Sequence, residues 1–218
     1  MQVEISIPSS LKEVKLKDYQ TYLTIEEPNN DDLLKCLLNI NQDNLGKVKS
    51  KDVDYLVSYI TKLFEEKQDF ISTFKMYGVE YGFIPNLDEI TYGENKDITS
   101  YIGDWKTMHK AMAVLYRPIK QKQSGKYLID DYEGSYKYSE VMQDAPLDVV
   151  MGSMVFFYNL TNALLKSMPS YLEEQAMKEQ MQGVISQENG EVIQRYIALV
   201  KETLPNLKKL QNFPCINA

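Results

Sequence analysis

Apolar residues recur at helical spacing along most of the chain and alternate in only a few short runs, so the pattern predicts a predominantly α-helical α+β fold. Residues 3–7 alternate like a strand and stop at Pro8. Leu16, Tyr19 and Leu23 then share one side of a helix over residues 16–25, closed by Pro28 and Asn29-Asn30. Asn30, followed by two aspartates, is a helix start, and Leu33, Leu34, Leu37 and Leu38 form the stripe behind it. Residues 41–46 read as a turn. Ser50 is the expected cap of a longer helix with Val53, Leu56, Val57, Ile60, Leu63 and Phe64 on its inner face.

The period then changes. Residues 70–76 and 79–84 flank Tyr77-Gly78, the pattern of a β-hairpin. Pro85-Asn86 breaks the second strand, residues 87–90 form a helical turn that carries Asp88, and residues 92–95 read as a loop. A helix over residues 98–116 is expected in two pieces, interrupted near Gly103 and restarted by Asp104 as a cap, with Trp105, Met108, Met112 and Leu115 turned inward. Arg117-Pro118 ends it, because a residue before proline is pushed out of the helical region. Ile119 and residues 127–129 flank a Lys122-Gln123-Ser124-Gly125 turn, which predicts a second small hairpin. Residues 138–142 form a short helix. Pro146 then opens the most apolar helix, residues 147–165, which Gly152, Ser153, Asn159, Thr161 and Asn162 make too polar and too short for a membrane span.

After Pro169 the character shifts. Residues 171–182 are polar and rich in Met and Glu, residues 186–190 read as a loop, and residues 191–211 read as an amphipathic helix interrupted at Pro205. The chain therefore divides into a mainly helical core domain, residues 1–168, and a helical C-terminal extension, residues 169–218. In the extension Tyr171, Leu172, Met177, Met181, Ile193, Tyr196, Ile197, Val200 and Leu204 are the expected partner-binding positions, since a Met-rich amphipathic stripe adapts readily to a partner groove.

Composition narrows the classes. A chain of 218 residues with 44% hydrophobic and 25% charged residues is ordinary globular usage, long enough to bury about 70% of its unfolded surface. Tyrosine stands out, with 16 residues against one tryptophan and seven phenylalanines. That suits half-buried or partner-facing surface, and an AT-rich genome enriches tyrosine equally well. Net charge is −7, and Arg117 and Arg195 are the only arginines, so the planar fork that reads phosphates and guanine edges is almost lacking. Nucleic-acid and membrane partners are not expected. Cys36 and Cys215 form no CxxC pair and are expected to stay reduced in a cytosolic compartment. The opening MQVEISIPSS lacks the basic and apolar regions of a signal peptide.

Candidate chemistry is sparse. His109 is the single histidine, so every metal or Ser–His arrangement would pass through it, and its helical setting without a neighbouring cysteine argues for a structural role. The acidic pairs, such as Glu65-Glu66 and Asp130-Asp131, fall at expected helix ends and turns. The segment around Asp43 and Gly46 lacks the alternating ligands and closing glutamate of a calcium loop. No glycine pattern supports nucleotide binding, and no cofactor is expected. Pro85 as strand terminator, Asp88, Trp105 and His109 read as structural. So does Arg117, with Asp88, Glu89 or Glu94 as its expected partner. The expectation is a non-enzymatic protein.

The strings YGFIPNLDEITYGENKDI, YIGDWKTMHKAMAVLYRPI, YLIDDYEG and PLDVVMGSMVFFYNL resemble a group of uncharacterised proteins of tailed bacteriophages. The resemblance spans residues 15–168, and MHKAMAVLYRPI is its most specific stretch. The layout also resembles the tail assembly chaperones and baseplate-assembly proteins of contractile-tailed phages. That resemblance implies a protein that binds the tape measure or another tail component in the host cytoplasm during assembly. The alternative is a virion subunit of the neck, ring or baseplate, able to form a homo-oligomer. The resemblance carries no catalytic residues.

Overall fold

The computed structural model describes residues 5–160 and 163. Among them it is an α+β fold in which helices surround one four-stranded antiparallel sheet. The first four helices are α1 (Leu16–Leu23), α2 (Asn30–Leu38), α3 (Gln42–Leu45) and α4 (Ser50–Glu65). Strands β1 (Thr73–Met76) and β2 (Val79–Phe83) follow, then helices α5 (Tyr92–Tyr101) and α6 (Met108–Leu115). Strands β3 (Tyr116–Gln123) and β4 (Lys126–Ile129), helix α7 (Tyr136–Met142) and helix α8 (residues 147–160) complete it.

Helix α6 is the axis of the core. Met108, Ala111, Met112, Ala113, Val114 and Leu115 are all buried, and only His109 and Lys110 are partly exposed, so the helix has to be enclosed over most of its surface. Helices α5 and α7 pack against it, and residues of α8 and the sheet belong to the same buried cluster. The segment before α1 is tied to the start of α8: Leu16 N–H donates to Ala145 O at 2.9 Å, and Leu147 N–H donates to Val14 O at 2.9 Å. On α8 Gly152 lies against the chain at Asp69. A Cβ there would stand 2.2 Å from Asp69 O, so only glycine permits the approach.

Several expectations shift by a residue. Helix α2 does start at Asn30, and the residue that caps it is Asn29, in a reciprocal pair with Asp32. Lys49 precedes α4 and Ser50 is its first helical residue. Others are corrected outright. The part of the first expected strand that is described, residues 5–7, is irregular chain, and residues 1–4 lie outside the described residues. The expected turn at 41–46 holds the short helix α3, because Asn41 Oδ1 accepts from Asn44 N–H and caps it. The expected loop at 92–95 is the first turn of α5, whose entry is secured by a reciprocal cap between Thr91 and Glu94.

The largest correction lies at Arg117-Pro118. These residues do end α6, yet they open no loop: the chain passes directly into β3, and Tyr116 is already extended. Lys122 and Gln123, expected in the turn, are the last residues of β3, and the turn is Ser124-Gly125. The two hairpins are therefore not separate. Strand β3 pairs with β2 through Tyr81↔Pro118, Gly82↔Arg117 and Phe83↔Tyr116, giving the order β1-β2-β3-β4. The expected first hairpin is borne out, with both Tyr77 and Gly78 at positive φ in its turn. The break at Gly103 and the cap at Asp104 also stand, Asp104 Oδ1 accepting from Lys106 N–H at 2.9 Å.

Candidate binding cleft

Pairing between β2 and β3 stops at Pro118, which has no N–H to carry it further, and β4 takes over as the partner of β3. An irregularity in register between Ile119 and Gln121 bends the strand at that point. The β3–β4 hairpin consequently leans across the β1–β2 hairpin. Tyr127 is its point of contact. The Tyr127 hydroxyl donates to Phe83 O at 2.9 Å and lies 3.3 Å from Ser72 O, and its ring rests on Gly82. A Cβ at Gly82 would stand 2.6 Å from that ring, so the missing side chain is what admits it.

The leaning hairpin leaves an open cleft of about 920 Å³ between residues 121–128 and the segment Pro85, Asn86 and Glu89. Two smaller recesses of about 340 and 350 Å³ adjoin it, and Tyr127 lines all three. The 340 Å³ recess, on the α8 side, is lined by aromatic rings. Phe70 stacks on Phe156 at 4.5 Å between ring centroids, and Phe83 meets Phe70 edge-on at 4.9 Å. Beneath them the buried Tyr116 hydroxyl donates to Ile71 O at 2.6 Å and lies 2.9 Å from Ser153 Oγ. Burial raises its pKa far above the ordinary tyrosine value, so it is a neutral strut. At the lip Leu128 is 61% exposed, and Lys122 and Lys126 stand beside it. Lys122 Nζ reaches Glu80 Oε1 at 2.6 Å.

Of the residues expected to be structural, Pro85 and Asp88 lie on the walls of these recesses. Asp88 sits in a single 3-10 turn, its N–H bonded to Asn86 Oδ1. Arg117 pairs with Glu94 rather than Asp88 or Glu89, Nη2 to Oε1 at 2.6 Å, with both side chains buried. The guanidinium also stands 5.8 Å from the centre of the Tyr132 ring, and the Tyr132 hydroxyl donates to Asp97 Oδ2 at 2.8 Å. Trp105 packs edge-on against Tyr19 at 5.1 Å. His109 Nδ1 lies 3.2 Å from Gln20 Nε2, and burial, assisted by the charge of Lys110, lowers its pKa. Cys36 is a free, half-buried thiol. Tyr171, Leu172, Met177, Met181, Ile193, Tyr196, Ile197, Val200 and Leu204, together with Cys215 and the boundary at residues 168 and 169, lie outside the described residues.

The cleft itself was not foreseen. Its one sequence signal was the strand-breaking Pro85-Asn86 beside a glycine-containing strand, a pairing that marks a bend without showing what crosses it. Among the described residues no three His, Cys, Asp or Glu side chains form a metal-binding group, and no helix is long and apolar enough to cross a membrane. Compared with known protein families, curated proteins and solved structures, the chain matches none.

Proposed function

We propose that the protein is a non-catalytic, chaperone-like assembly factor of a tailed bacteriophage that binds a tail component, such as the tape measure, in the host cytoplasm. The observation that supports this reading is a convergence. Three of the four strings that carry the phage resemblance supply Phe83, Pro85, Asn86, Tyr127, Leu128 and Phe156, which line the cleft and the recess beside it. An open cleft with an aromatic-lined recess beside it suits recognition of an extended or helical protein segment. The amphipathic positions Ile193, Tyr196, Ile197, Val200 and Leu204 supply a second, adaptable contact.

Co-expression with individual tail proteins tests this. The expected result is co-purification with one unassembled tail component and absence from purified particles, with binding abolished by truncation after Pro169. Failure to associate with any tail component, or unchanged affinity in the truncated chain, would sink the reading.

A second reading, a virion subunit of the neck, ring or baseplate, draws on a separate observation. Tyr55, Tyr92 and Tyr136 are 63%, 82% and 75% exposed on three different helices, as a ring subunit with several neighbours requires. Stoichiometric presence in purified particles would favour it over the assembly factor.

A further inference from the structure

We infer that the protein pairs with a second copy of itself along β4, joining two four-stranded sheets edge to edge into one. Strand β4 is an edge, with β3 as its one neighbour among the described strands. The register shows which of its main-chain groups are spare. The turn Ser124-Gly125 has two residues, so the flanking residues Gln123 and Lys126 bond to each other. At the other end Asp130 N–H donates to Pro118 O at 2.8 Å. Main-chain groups alternate in direction along a strand. Those of Lys126, Leu128 and Asp130 therefore face β3, and the N–H and C=O of Tyr127 and Ile129 face outward.

That spacing is self-complementary. A two-fold axis at Leu128 sets Tyr127 of one copy opposite Ile129 of the other, and each such pair exchanges both of its hydrogen bonds. Every spare group on β4 is satisfied at once. Leu128, 61% exposed in the single chain, then meets its own counterpart. The charges agree as well. Lys126 has no ion pair among the described residues, and the antiparallel arrangement sets it against the Asp130-Asp131 end of the other strand. There Asp131 is 87% exposed and shares Lys120 with Asp130. The edge is also held in place before any copy arrives, because the Tyr127 hydroxyl ties it to Phe83 O, and the open cleft borders Lys126, Tyr127 and Leu128. Pairing β4 with β1, the sheet's other edge, would run head to tail and would not close. The inference is independent of the tail-component reading.

Sedimentation of the full-length chain tests it. The mass is expected to rise with concentration from 25.2 kDa to twice that value and no further. Leu128→Lys sets two lysines face to face at an exposed position, so it should hold the protein at the monomer mass with an unchanged circular dichroism spectrum. The register has its own test. Leu128→Cys and Lys126→Cys are each installed with Cys36→Ser and Cys215→Ser, and both proteins are oxidised with diamide. Residues opposed at the axis stand about 4.5 Å apart at Cα, within disulfide reach, whereas position 126 lies about 13 Å along the strands from its counterpart. A covalent dimer is expected from Leu128→Cys and little or none from Lys126→Cys. A monomer at every concentration, growth beyond the dimer, a dimer that survives Leu128→Lys, or equal cross-linking at both positions overturns the inference.

Discussion

Glu94 serves two elements with one carboxylate. Its Oε2 accepts the Thr91 N–H at 2.7 Å and closes the start of α5, while its Oε1 holds Arg117 on β3. Both members of the pair are buried, so removing either leaves the other charged, desolvated and alone. Glu94→Ala is therefore expected to lower stability by about 3–5 kcal/mol. Adding Arg117→Met should recover much of that loss, because the burial cost then disappears with both charges. Chemical denaturation of the two variants measures this directly. His109 offers a separate test. Burial lowers its pKa below the ordinary 6.5, so the folded protein binds fewer protons there than the unfolded chain. Its contribution is complete above the unfolded value and is lost as pH falls through 6.5 toward the lowered folded one. Since it is the single histidine, stability should fall between pH 7 and 5 in the natural chain and fall less steeply in His109→Gln.

At the scale of elements, the β3–β4 hairpin depends on an absence, that of a side chain at residue 82. Gly82→Ala drives a methyl into the Tyr127 ring, and the ring belongs to a hairpin that can tilt rather than to the rigid core. The expected result is a loss of about 1–3 kcal/mol, with faster amide exchange confined mostly to residues 119–129. Uniform acceleration across α6 would contradict that picture. The same element shows where reading the sequence succeeded and where it stopped. Local signals were legible: Tyr77-Gly78 as a turn, Asp104 as a cap, and the apolar positions of α4 and α6 as inner faces. The Thr91-to-Glu94 cap is equally local, a threonine followed three residues later by a glutamate, although residues 92–95 read as a loop. The joining of the hairpins was not legible. It depends on Gly82 facing Arg117 across 34 residues of intervening chain, and no periodicity encodes such a pairing. Nor does the pattern at Arg117 say which of three nearby carboxylates it meets. Glu94 is selected because the turn of α5 delivers it to β3.

For the molecule as a whole, the buried cluster runs from Leu11 to Phe157 through every layer of the described fold. A chain truncated after Pro169 is accordingly expected to retain one cooperative thermal transition, lowered by no more than about 5 °C, a shift that corresponds to roughly 1–2 kcal/mol for this size. Loss of cooperativity would show that the extension completes the core. The ties between Val14, Leu16, Ala145 and Leu147 join the first helix to the last one, so the two ends of the described body unfold together.

The direct passage from α6 into β3 has a mechanical consequence. A loop between a helix and a strand absorbs slack, and here there is none: Leu115 is the last residue of one and Tyr116 the first of the other. Load applied at the hairpin tip thus reaches the buried helix as along a shaft. Along that strand the pairing with β4 is irregular between Ile119 and Gln121. Engagement of the tip is either taken up at that irregularity or felt at Met108, at the far end of the buried shaft.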